Sequence, residues 1–139
     1  MRFLTIYRPP PSKKNKLTFT MFKDEFQNFA MEKSLCNGYL IFIGDFNIHV
    51  ENENGSQGKW LMELFYSLNL KQHIRELTHD GGHTLDLLVT QKNNSFVKVE
   101  ECHFSDHKSI HFIISAKKPK PTRKTLKYRK TKDIDMEAY

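Results

Sequence analysis

Asp45 and Asn47 stand two residues apart where the apolar run "YLIFI" breaks into "GDFN". Asp86 lies inside "HTLDLLVT", and Asp106 and His107 adjoin in "FSDHKS". Three aspartates, an amide and an imidazole make an oxygen-rich donor set. Such a set suits Mg²⁺ or Mn²⁺ better than zinc or copper. A carboxylate-held Mg²⁺ clamps a phosphoryl oxygen and stabilises charge on a leaving group. A carboxylate can orient or deprotonate an attacking water. A His paired with an Asp is held in one tautomer and can donate to a phosphate oxygen. Phosphodiester hydrolysis uses each of these roles. No GxxxxGK[ST] or GxGxxG motif competes for phosphate binding. Acidic residues at strand ends are also common, so spacing alone leaves ordinary turn chemistry as an alternative.

These groups are useful only if strands bring them together. "RFLTIY" reads as a short strand stopped by Pro9, Pro10 and Pro11. Phe22, Phe26, Phe29 and Ala30 recur at helical spacing between Thr18 and Leu35, with Thr18 or Thr20 as the cap. "YLIFIGDF" reads as a strand buried on both faces, which suits a sheet covered by helices. Trp60, Leu61, Leu64, Phe65 and Leu68 mark a second amphipathic helix. "LKQHIREL" reads as a connector with a short strand. Further strands are expected at Thr84–Thr90, over "FVKVEEC" and at Ser109–Ser115. The resulting order is that of an α/β fold. Neighbouring strands would gather all three polar clusters at one sheet edge, where such folds bind ligands.

Bulk properties narrow the class. The 139 residues fit one domain, and 38% apolar content with eleven Phe is globular rather than disordered. No apolar run is long enough to span a membrane. "MRFLTIYRPP" is too short and polar for a secretory signal, so the default expectation is an intracellular protein with reduced Cys36 and Cys102. The net charge of +6 is concentrated in 117–139, a run rich in Lys, Arg and Pro. That run reads as a basic linker or tail after a domain over 1–116, able to neutralise phosphates or simply to solubilise the terminus. His49, His73, His79, His83, His103 and His111 show no ligand pattern by spacing, apart from a remote zinc option at His79 and His83. Gly81 and Gly82 read as a turn.

"IYRPP", "IGDFNIH", "THDGGHTLDLLVT" and "SDH", in that order, resemble the C-terminal half of the endonuclease/exonuclease/phosphatase family. The likeness is closest to the apurinic-type endonuclease domains of non-long-terminal-repeat retrotransposons, and it spans Tyr7 to His107. The resemblance implies the C-terminal half of a four-layer, DNase I-like α/β sandwich. It implies Mg²⁺-dependent nicking of DNA, with Mn²⁺ as a possible substitute. Asp45 resembles the aspartate that orients or deprotonates the water, and Asn47 its positioning partner. Asp106 resembles a carboxylate at the metal, and His107 the residue on the scissile phosphate. Asp86 resembles the carboxylate that orients that His, and Tyr7 the phosphate-side tyrosine. DNA is the implied partner, a reverse transcriptase encoded downstream a further one, and the nucleus the implied compartment.

The same resemblance raises an expectation of loss. The family's N-terminal half supplies a second sheet and the principal metal-binding Glu, and neither has a counterpart upstream of Tyr7. The expectation is therefore a metal site without its Glu, impaired hydrolysis, and a sheet face left bare and apolar unless the other half binds it. The competing reading is an inactive module that binds nucleic acid or a partner through the tail and the bare face.

Overall fold

A computed structural model describes residues 1–52, 54–91, 96–114 and 125. The basic tail expected over 117–139 lies outside the described residues except for Thr125. The elements are β1 (Arg2–Tyr7), α1 (Phe19–Leu35), β2 (Leu40–Asp45), α2 (Ser56–Ser67), β3 (Lys71–Gln72), β4 (Asp86–Thr90), β5 (Phe96–Glu100) and β6 (Ser109–Ile113). β4 begins two residues later than expected, because the Thr84 and Leu85 N–H groups bond the Glu51 and Thr78 side chains instead of a neighbouring strand.

Four strands form one mixed sheet in the order β1-β2-β4-β3. β1 and β2 are parallel, and the connection between them contains α1. β4 runs antiparallel to both β2 and β3. Thr18 starts α1: its hydroxyl accepts the Met21 N–H at 3.2 Å, so it is the cap and Thr20 is not. The aromatic stripe of α1 faces the sheet. Phe26 packs edge-on against Phe42, Phe46 and Phe65, and stacks on Phe22. Leu61, Leu64 and Phe65 of α2 join Leu40, Phe42, Leu87 and Val89 in the same core. Burying each such side chain contributes about 1.5–3 kcal/mol.

Alternation along β2 sends Leu40 and Phe42 to this helical side and Ile41 and Ile43 to the other. That accounts for the unbroken apolar run. The second face departs from expectation. Helices do not cover it, and it is not bare. β5 and β6 pair as an antiparallel ribbon, and Val97, Val99, Ile110 and Phe112 pack over fully buried Ile41 and Leu88. What stays uncovered is a strip along the edge strand, with Phe3 half exposed. The described residues thus form three layers, helices, sheet and ribbon, in a mixed α/β arrangement.

Gly44 sets how closely β1 and β2 approach at their C-terminal ends. Its φ is +140°, and a Cβ there would lie 2.0 Å from the Ile6 carbonyl oxygen. Only glycine fits this position.

Candidate active site

Sheet register places three of the expected residues in one row. Tyr7 of β1 is opposite Asp45 of β2, and Asp45 is opposite Asp86 of β4. Both aspartates therefore sit at the same edge of the sheet by backbone pairing alone. Asn47 follows in a left-handed conformation with φ +46°, which asparagine tolerates better than most residues. This turn folds its side chain back. The Asn47 amide donates to Asp45 Oδ2 at 2.7 Å and to the Arg8 carbonyl at 2.8 Å, while its backbone N–H donates to Asp45 Oδ1 at 2.8 Å.

Arg8, not among the residues expected at the site, locks this corner. It is 5% exposed. Its guanidinium donates to the Asn47 carbonyl at 2.8 Å and lies 5.1 Å from the centre of the Phe22 ring. Burial lowers its pKa, and the nearby Asp45 charge works against that. The signal was present in "YRPP": a cation just after the strand that pairs with the Asp45 strand. Nothing in the sequence indicated that it would be buried.

His107 reaches the row from the segment before β6. Its Nδ1 lies 2.8 Å from Asp86 Oδ2, which leaves Nε2 for another partner. Thr78, fully buried, holds the Asp86 end in place, because its hydroxyl accepts the N–H groups of both Leu85 and Asp86 at 3.0 Å. Asp106 is exposed, with Oδ2 3.3 Å from His79 Nε2. The His79 and His107 rings stand edge-to-face, 4.9 Å between centroids. Tyr7 is the outlying member, 69% exposed at the end of the edge strand.

The electrostatics follow from this packing. Burial pushes the Asp45 carboxyl above its ordinary range; the Asn47 hydrogen bonds oppose the rise and the Asp86 charge adds to it. Burial alone would lower the His107 pKa. The hydrogen bond and charge of Asp86, with Asp45 and Asp106 beyond, outweigh burial, and the net shift is upward. A carboxylate that holds its proton less reluctantly is a better base near neutrality, and a charged imidazole is a better donor to an oxyanion.

The expectation of a metal site without its Glu is overturned here. Two groups of metal-ligating side chains are assembled among the described residues: His79, Asp106 and His107, and separately His49, Glu51 and His83. A glutamate is therefore among the ligand-bearing residues, in a loop the sequence reading had set aside. The remote zinc option at His79 and His83 is also divided, since each joins a different group. The pairing of His49 with His83 joins residues 34 apart, which no local spacing could reveal.

Comparison with known families decides the assignment. A family described as "Endonuclease-reverse transcriptase" matches residues 1–111. The chain belongs to this endonuclease–reverse transcriptase family. Phosphodiester hydrolysis is the general activity of that family, and the retroelement-type endonuclease resemblance read from the motifs stands. No curated protein and no solved structure matches the chain. Among the described residues, no helix is long and apolar enough to cross a membrane.

Proposed function

We propose that the chain is a Mg²⁺-dependent DNA endonuclease of retroelement type, using Mn²⁺ as a substitute, which nicks by in-line attack of water. The observation that carries this is the two hydrogen-bonded pairs, Asn47–Asp45 and Asp86–His107, set side by side on paired strand ends. Asp45, kept in place by Asn47, takes the water proton. Asn47, its two amide hydrogens held by Asp45 and the Arg8 carbonyl, has Oδ1 left to accept from that water. His107, fixed in orientation by Asp86, donates from Nε2 to the phosphate and stabilises the charge that develops there. Tyr7, exposed at the same edge, meets the phosphate from the β1 side.

The donor set suits the metal. Mg²⁺ is commonly held by one or two carboxylates, with water and phosphate oxygens completing the shell. Asp106 has an exposed carboxylate for that purpose, while His107 keeps Nε2 for the phosphate, so the ion would be held by the Asp106 oxygen with water and phosphate oxygens rather than by imidazole nitrogen. A bound Mg²⁺ would polarise the phosphate and offset charge on the leaving oxygen. In this reading DNA is the substrate, the nucleus the site of action, a reverse transcriptase domain the partner, and the four-layer sandwich the complete architecture.

A labelled oligonucleotide duplex tests the proposal. With Mg²⁺ the full-length chain should produce single-strand breaks whose 3′-hydroxyl ends a polymerase extends. Breaks independent of divalent cation, or ends that resist extension, would contradict it.

A further inference from the structure

The loop after β2 and the turn before β4 bring together a second donor set. His49 Nδ1 and His83 Nδ1 are 2.9 Å apart. Glu51 Oε1 lies 2.9 Å from His83 Nδ1 and 3.3 Å from His49 Nδ1. Hydrogen bonding serves such a triangle poorly, because each Nδ1 is either a donor or an acceptor. Two protonated nitrogens can both donate to Glu51, but they then press N–H against N–H. With one proton, the bare nitrogen faces the carboxylate lone pairs. A central cation satisfies all three deprotonated atoms at once. The three edges, 2.9, 2.9 and 3.3 Å, approach the roughly 3.3 Å separation of tetrahedral ligands about 2.0–2.1 Å from a metal.

We propose that His49, Glu51 and His83 form a binding site for a divalent transition-metal ion of the zinc class, sharing no ligand with the hydrolytic cluster. Two imidazoles and one carboxylate are the ligands of a zinc site with an open position, and the nitrogen donors disfavour Mg²⁺. The surroundings support the ligands. The Thr84 N–H donates to Glu51 Oε2 at 3.2 Å, which turns Oε1 toward the histidines. Gly58, in the first turn of α2, packs so tightly on the loop that a Cβ there would lie 2.6 Å from the His49 carbonyl oxygen. All three ligands are at least partly exposed, so the ion can enter and water can complete its shell. A bound ion would tie the segment following Asn47 to the segment preceding Asp86. It would thereby stiffen both sides of the aspartate row.

The proposal does not depend on the hydrolytic reading, since metal binding is measured without substrate. The full-length chain, stripped with a chelator, is titrated with Zn²⁺ by calorimetry and with Co²⁺ by visible absorption. One equivalent should bind in the presence of excess Mg²⁺, and the thermal midpoint should rise with zinc concentration. His49→Ala and Glu51→Gln should each weaken binding by more than about tenfold and abolish the thermal shift, while Asp106→Asn retains both. His49 is half exposed, so its variant tests the site even if His83→Ala misfolds. Binding undiminished in His49→Ala and Glu51→Gln would overturn the proposal. So would binding lost in Asp106→Asn, or no zinc bound by the parent chain.

Discussion

Asp45, Asp86 and His107 meet at paired strand ends, whereas His49, Glu51 and His83 meet between two loops. In the first group the backbone does the positioning. Asp45 and Asp86 are opposite one another in a hydrogen-bonded ladder, and the buried residues Arg8 and Thr78 secure the two sides with hydrogen bonds. In the second group the side chains do most of it, with one backbone N–H from Thr84. The first is therefore preorganised before any ligand arrives, and the second needs an ion to bring its atoms to terms. Preorganisation is what stabilises developing charge at little reorganisation cost. A loop cluster is better suited to reversible occupancy.

The sharpest way to separate the two groups is to remove one function from each. Asp45→Asn and His107→Asn should lower cleavage by about 10²–10⁴-fold without changing the thermal midpoint by more than a few degrees. Glu51→Gln should leave cleavage in saturating Mg²⁺ at the level of the parent. Equal losses from both groups would erase the distinction.

Backbone positioning predicts the next largest effect. Gly44→Ala places a methyl against the Ile6 carbonyl and strains a positive φ. It should destabilise the fold by about 3 kcal/mol or more, read as a lowered denaturant midpoint. Tolerance of alanine there would mean that the β1–β2 approach is not fixed. Thr78→Val keeps the volume but orphans the Leu85 and Asp86 N–H groups. Each unsatisfied buried group costs about 1–3 kcal/mol, and the Asp86–His107 bond should loosen, visible as altered His107 ring shifts by NMR.

The smallest effect is in the pH dependence of stability. The His107 pKa is raised in the folded state, so its pairing with Asp86 stabilises the fold fully below the ordinary histidine value of 6.5. That contribution is lost as pH rises through the folded pKa. The stability difference between the parent and Asp86→Asn should therefore be larger at pH 6 than at pH 9. A difference that grows with pH would mean that His107 is not charged against Asp86.

How much of this was legible in the sequence follows from the range of the forces involved. The Phe22/Phe26 stripe and the "YLIFI" run specified α1 and β2, because periodic burial is a local signal. β5 and β6 were each legible as strands, but the destination of their ribbon was not. Val97 and Phe112 cover Ile41 and Leu88 from far along the chain, and only that packing removes the bare face the sequence suggested. The aspartates could be picked out because carboxylates at strand ends draw notice. Arg8 could not, because its burial depends on Phe22 and Asn47 arriving from two other elements. The His49–Glu51–His83 group was missed for the same reason: its members are near neighbours only after β2 and β4 have paired.

Nicking of supercoiled plasmid by the chain, parent against Asp45→Asn, reads the aspartate row itself. The parent should convert plasmid to open circle only with Mg²⁺, an activity lost on chelation and reduced at least about 100-fold in Asp45→Asn. No Mg²⁺-dependent nicking by the folded parent, or equal nicking by both proteins, would contradict the proposed mechanism.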